Sequence, residues 1–243
     1  MRNDDQLWQE LKWTQNAQYL LSGLSRFSAH DKINVMIRHS ERFEIMTLRD
    51  NLEAPLTDNG KKMAYLFGTK LPKNRITRFF HSPVDRCRET AVCICHGFQD
   101  SGGHGSVVGI VNELFDIDVD GGYFYKNFQK YPNEAFLYRW SAGLFPSDSI
   151  MAFIDFSKKA ALAIQKESEQ KTGITGSAES CMDFFVSHDL MILAFRLGWF
   201  GLSPDNKWPS FLGCYAFTVE KDIVRLLDFD SFKAVDKPYF WKD

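Results

Sequence analysis

The stretch INVMIRHSER, residues 33–42, decides how the chain is read. Residues 33–37, INVMI, form a short, mostly apolar run, the pattern of a strand covered on both faces. Arg38, His39, Ser40, Glu41 and Arg42 follow at once, and none of them suits the inside of such a strand. The arrangement recurs along the chain. RITRFF (75–80) runs into His81, Ser82, Pro83, Val84, Asp85 and Arg86. MDFFVS (182–187) runs into His188 and Asp189.

Helical patterns separate these strands. LTDNGKKMAYLFGTKL (56–71) reads as an amphipathic helix with Thr57 as N-cap. HSPVDRCRETAVCICHGF (81–98) reads as a helix capped by Ser82, with Pro83 at the first position and Asp85 three residues after the cap. Residues 5–26 carry a stripe of Leu7, Leu11, Leu20, Leu21 and Leu24 and read as one helix. Further helices are expected over about 148–170 and over DLMILAFRLGW (189–199). SVVGIV (106–111) is β-rich, and FLGCYAFTV with DIVRLLDF makes a closing hairpin-like pair. Residues 120–145 are aromatic and irregular, and KTGITGSAES (171–180) is a polar loop.

Strands alternating with helices indicate an α/β fold, a mainly parallel central sheet flanked by helices. The expected organisation is a single domain over 1–243 with a small aromatic-rich cap or lid insertion at about 115–150. Ligands in such folds sit beyond the carboxyl ends of the strands. Arg38, His39, Arg42, Arg86, His188 and Asp189 would therefore converge on one edge.

Composition agrees with a soluble globular protein: 243 residues, 44% hydrophobic, 25% charged, 22 phenylalanines for a core. With 29 basic and 31 acidic residues the formal net charge is −2, so no global field attracts nucleic acid. The most apolar stretch, MILAFRLGWFGL (191–202), is too short for a membrane span and contains Arg196. The N-terminal residues have no apolar signal region, and the five cysteines are odd in number. Reduced thiols in a cytoplasmic protein are the expectation. Cys93, Cys95 and His96 lack zinc-site spacing, and no metal or other cofactor is expected. SGGHGSVVG (101–109) does not match a dinucleotide-binding glycine pattern and reads as a loop.

Three arginines at strand ends and helix starts form an oxyanion site, because guanidinium binds phosphate in a planar, bidentate way. An imidazole among those cations is kept neutral, and a neutral imidazole is nucleophilic. His39 could attack a phosphoryl group in line, while arginines hold the charge on the equatorial oxygens. His188 would donate to the same oxygens, and a nearby acid would protonate the leaving alcohol. The partner is thus a small-molecule phosphate ester, with neither nucleic acid nor membrane involved.

These residues also carry a family resemblance. VMIRHSER resembles the R-H-G signature of the histidine phosphatase superfamily. Ser82-x-x-x-Arg86-x-x-x-Thr90-Ala91 is similar to its second block, LTDNG (56–60) to its L-T-x-x-G, and FVSHD (185–189) to its late histidine block. The resemblance implies His39 as nucleophile, Arg38 and Arg86 as phosphate ligands, and His188 completing the pocket. Arg42 falls where the acid-phosphatase and phytase branch has a further phosphate-binding arginine. In that branch the His188-Asp189 pair would supply the proton donor. In the phosphoglycerate-mutase-like branch the acid is a glutamate from mid-chain, a place Glu113 could fill. Ser40 stands where the family has glycine, and the branch's proline after Arg42 is missing.

The reading is a metal-independent phosphatase acting through phosphohistidine, a compact relative of the acid-phosphatase branch. The alternatives are a phosphoglycerate-mutase-type phosphotransferase and a non-catalytic phospho-ligand binding module, the latter motivated by Ser40. Lys126, Lys130 and Arg139 in the aromatic segment could meet an anionic substrate, and His81 could line the pocket.

Overall fold

The structure is a computed structural model that describes residues 4–44, 53–116, 121–170 and 181–241. Its helices and strands run α1 (Asp4–Glu10), α2 (Gln15–Gly23), β1 (Ile33–Arg38), α3 (Asp58–Lys70), β2 (Ile76–His81), α4 (Asp85–Asp100), β3 (Gly105–Ile110), α5 (Gly121–Lys130), α6 (Asn133–Ser141), α7 (Phe153–Glu169), β4 (Cys181–Ser187), α8 (Asp189–Phe200), β5 (Cys214–Val219), β6 (Ile223–Asp228) and β7 (Ser231–Asp236). The strands form one sheet in the order β3-β2-β4-β1-β5-β6-β7. Its centre is parallel, and β5, β6 and β7 add an antiparallel flank. This is the expected α/β architecture.

The central strands read as apolar because helices cover both faces. Side chains alternate across the sheet, so Val35, Ile37, Phe79 and Phe184 enter one core with α3 and α4. Met36, Phe80 and Phe185 enter the other, with α7 and α8. Cross-strand ring pairs tie β2 to β4 on both faces: Phe79 stacks on Phe184 at 5.2 Å and Phe80 on Phe185 at 5.1 Å between centroids.

The register of the parallel strands creates the site. Arg38 lies opposite Ser187, and His81 lies opposite Val186. The ladder continues one step further, with the His39 amide donating to Ser187 O and the Ser82 amide to Val186 O, both at 2.9 Å. Three strands thus deliver residues 39, 82 and 188 to one row.

Several local expectations are corrected. The helix expected over 5–26 is broken at Leu11–Thr14, where the Thr14 hydroxyl donates to the carbonyls of Trp8 and Leu11 at 2.7 Å. Ser82 and Pro83 precede α4 rather than opening it; the N-cap is Val84, and the Ser82 hydroxyl is used inside the site instead. Part of the segment read as irregular, 120–145, folds into α5 and α6, which bury Phe124, Phe136, Leu137 and Trp140 in the same core as α7 and α8. β7 was not anticipated, being half polar and exposed along the sheet edge. Thr57 caps α3 as expected, accepting from the Gly60 amide. The polar loop 171–180 lies outside the described residues.

The cysteines form no disulfide with one another, and Cys87, Cys95 and Cys214 are buried. Among the described residues no group of three metal-ligating side chains comes together, and no helix is long and apolar enough to cross a membrane.

Candidate active site

β1 ends at the mouth of a cavity of about 180 Å³. Arg38, His39, Arg42, Arg86, His188 and Asp189 all line it, so the structure brings together every residue assigned to the site from the sequence. A larger cavity of about 390 Å³ lies at the opposite end of the strands, between Asn34 and Val219. It is lined by Lys32, Lys221, Glu169 and Glu220 and, among the described residues, by no histidine or arginine.

His39 is buried, at 2% exposure. Its Nδ1 lies 2.8 Å from the Ser40 carbonyl oxygen. A carbonyl can only accept, so this bond assigns the proton to Nδ1 and the lone pair to Nε2. Burial pushes the His39 pKa well below its ordinary value; the charge of Arg86, then His188 and Arg38, acts in the same sense, and the Ser40 carbonyl opposes them. A neutral imidazole with a free Nε2 is the nucleophilic form.

His188 is held differently from the expectation. Arg86 donates through Nη2 to His188 Nδ1 at 3.0 Å. The ring proton then sits on Nε2, which faces Ser82 Oγ at 3.1 Å and Cys87 Sγ at 3.6 Å. Both ring nitrogens are engaged, so here His188 holds Arg86 in place instead of presenting an N–H to the cavity. Burial pushes its pKa well below the usual range, helped by Arg86, Arg38 and Arg42. The neighbouring Cys87 thiol is pushed up to about 12 by burial and is no rival nucleophile.

Arg38 is braced from three sides. It donates to Pro209 O at 2.7 Å, pairs with Asp189 Oδ2 at 2.8 Å, and lies 4.5 Å over the Phe211 ring. The 209–213 loop that braces it also bonds the backbone on both sides of the Arg38–His39 junction. Leu212 in this loop takes a left-handed conformation, φ 54°, fully buried and held by packing. Arg42 donates to Phe43 O and reaches the cavity rim. Asp189 is the first residue of α8. Its Oδ1 accepts from the Leu190 amide at 2.8 Å, and its Oδ2 also accepts from the Trp208 indole at 3.2 Å. It therefore combines the helix-start role with a place in the site.

Ser40 fits where the family pattern has glycine. It is fully buried, and its φ is not left-handed. Its amide donates to Thr90 Oγ1 at 3.0 Å and its hydroxyl to Gly60 O at 2.7 Å. Gly60 is the position that demands glycine: a Cβ there would lie 2.1 Å from the Glu41 carbonyl oxygen. Glu41 accepts from Thr57 at 2.6 Å and Asn59 at 3.0 Å, fastening the start of α3 to the 39–42 loop.

Other candidates stay outside. Glu113 sits in a short 3₁₀ turn after β3, half-buried, and does not line the cavity, although Phe115 two residues on does. His81 is buried with Nδ1 on the Ser82 carbonyl and is not a lining residue. Lys130 and Arg139 lie over the Tyr131 ring, and with Lys126 they are absent from the lining. Trp208 and Phe211 were missed from the sequence; they lie outside the motif blocks, and nothing in their local sequence marks them, whereas Phe115 falls at the start of the expected cap.

The depressed histidines make an acid-side prediction. Between the folded value and the ordinary value of 6.5, the unfolded chain binds a proton at His39 that the folded chain refuses. Their contribution is intact above about pH 6.5 and is lost as pH falls from there. Urea midpoints measured from about pH 7 to about pH 5 should fall, and the fall should be shallower in His39→Gln. Parallel curves for the two proteins would contradict the assignment.

Comparison with known proteins bears out the superfamily expected from the sequence but not, specifically, its acid-phosphatase and phytase branch. The family model described as the histidine phosphatase superfamily (branch 1) matches residues 35–218. No curated protein matches the chain by sequence. A mycobacterial glucosyl-3-phosphoglycerate phosphatase has a similar solved structure, with TM-score 0.53 and 17% identity over 85% of this chain and 97% of that one. Phosphoserine phosphatase from Entamoeba histolytica, solved with 3-phosphoglyceric acid, gives TM-score 0.52 and 17% identity over 87% of this chain and 100% of that one. At such identities the likeness is one of fold.

Proposed function

The chain belongs to the histidine phosphatase superfamily, and on that premise we propose that it is a metal-independent phosphomonoester hydrolase working through a phosphohistidine at His39. One observation carries the reading: His39 keeps its Nδ1 proton on the Ser40 carbonyl, which leaves the lone pair on Nε2, and it lines a cavity with three arginines. In the first step Nε2 attacks phosphorus, the ester P–O bond breaks, and an acid protonates the leaving oxygen. In the second, water attacks phosphorus, the P–N bond breaks, and the conjugate base takes the water's proton. Arg38, Arg42 and Arg86 supply positive charge to the equatorial oxygens throughout.

We assign the acid to Asp189, on the geometry of the cavity alone. Of the two candidates it is the one lining the cavity; Glu113 does not. Asp189 is paired with Arg38. A bound phosphate competes for the same guanidinium, so substrate binding frees the carboxyl for proton transfer. The helices over 121–141 are read as part of the lid, and the cysteines, all free, fit a cytoplasmic protein.

The test is rapid quench with labelled substrate in the presence of EDTA. The expected result is an acid-labile, base-stable phosphoryl label on His39, appearing at a rate that supports turnover. Turnover without label, or label elsewhere, defeats the reading. The same experiment assigns the acid. Asp189→Asn should slow alkyl esters by about 10²-fold or more and p-nitrophenyl phosphate far less, since p-nitrophenolate departs without protonation. Equal losses on both would remove Asp189 from the role.

A further inference from the structure

We propose that this site selects small phosphate monoesters whose alcohol carries an aromatic ring, an inference that rests on the hydrolase reading above. The cavity is chemically two-ended. Its cations are Arg38, Arg42 and Arg86, of which Arg38 and Arg86 act directly on His39. The rest of the lining is largely aromatic: Phe115, Phe124, Tyr125, Phe128 and Trp208. Among the described residues no lysine lines it, and Asp189 is the one carboxylate that does.

The wall is continuous with the chemistry. Phe115 touches the His188 ring at 4.5 Å between centroids, so the aromatic surface begins where the phosphate site ends. It is also stiff. Phe124 and Phe128, one turn apart on α5, lie nearly parallel at 5.8 Å. Both stand edge-on to the fully buried Phe136, each at 5.4 Å. Trp208 is fixed by its indole bond to Asp189. Rings held this way form a ready stacking surface.

The consequence for selection is direct. Once a phosphate has taken the arginines, no free cation among the described lining residues answers a second phosphate or a carboxylate. Away from the arginines the wall is ring carbon with the aliphatic Leu190 and Met191, and its polar groups are Asn133 and the polar atoms of Tyr125, Trp208 and Asp189, so a polyol's hydroxyls would lose water with fewer donors and acceptors to replace it. A planar ring loses nothing comparable and gains contact. The volume, about 180 Å³, suits a single ring better than a large conjugate.

The test separates selection from turnover by using phosphonates, whose C–P bond resists hydrolysis. Benzylphosphonate and 3,4-dihydroxybutylphosphonate are titrated calorimetrically into the wild-type chain. Benzylphosphonate is expected to bind at least about tenfold more tightly, the scale of one or two ring contacts. Phe128→Ala should remove most of that gap and leave the hydroxylated ligand within about twofold. Phe128→Leu, which keeps bulk without a ring, should do the same if the alanine variant folds poorly. Equal affinities, or a loss shared by both ligands, would overturn aromatic selection and leave the hydrolase reading to the phosphohistidine experiment. A tenfold preference without hydrolysis of benzyl phosphate would keep the ring site and overturn the hydrolase. Failure of both ligands to bind would overturn both.

Discussion

His39→Ala is expected to lose turnover by on the order of 10⁴-fold or more while remaining folded. The size follows from the role: with the nucleophile gone, the covalent route closes, and only binding and charge stabilisation by the arginines remain. Retention of the fold follows from the contacts. The side chain makes one hydrogen bond, to the carbonyl of the adjacent Ser40, and such a bond contributes about 1 kcal/mol. The surrounding ladder, His39 N to Ser187 O, is backbone and survives the substitution. Circular dichroism and a urea midpoint close to wild type would show that the fold persists. Hydrolysis of p-nitrophenyl phosphate and quench-flow labelling would then read the chemistry. A folded variant that keeps a tenth of the wild-type rate would show that His39 is not the nucleophile.

The second large effect is expected at Arg86. Arg86→Lys should cost about 10²- to 10³-fold in kcat, although the charge is kept. Arg86 is 6% exposed and lines the cavity, and its guanidinium donates to His188 Nδ1 at 3.0 Å. A planar fork can serve the imidazole and an equatorial phosphate oxygen together; an ammonium on a flexible stem cannot reproduce that geometry. The contact strengthens as charge builds on the equatorial oxygens, so the loss should fall mainly on kcat and less on KM. If Arg86 were only structural, the lysine variant would show a lowered urea midpoint with a normal phosphorylation rate. A variant with both kcat and phosphorylation rate unchanged would remove Arg86 from the phosphate site.

Much of the site was legible because it is built from residues adjoining strand ends. Arg38 ends a buried strand and His39 follows it, Arg86 lies in the first turn of α4, and His188-Asp189 follows β4. In a parallel sheet those ends must point the same way, so local reading plus one topological rule brings them together. Reading the roles was harder. His188 looked like a phosphate donor, but its nitrogens are committed to Arg86 and Ser82. Ser82 looked like a helix cap because Ser-Pro is a common helix start, and helix starts and strand-end sites use the same residue types. Ser40 looked doubtful because glycine often marks unusual φ, whereas the demand for glycine lies instead at Gly60, against Glu41.

The sequence by itself determined the class of fold, the central strands, the capped start of α3, and which six side chains meet. Those features depend on hydrophobic periodicity, capping chemistry and strand direction, all of which act over a few residues. The tertiary structure alone decided which nitrogen of His39 is free, that Asp189 and not Glu113 faces the cavity, and that the cavity wall is aromatic. It also decided that Arg38 leans on Pro209, 171 residues away in the chain, and Asp189 on Trp208. Such contacts join residues whose own segments carry no sign of one another. They are set by how helices and loops pack over the sheet, and a hydrogen bond between distant residues exists only once that packing has formed.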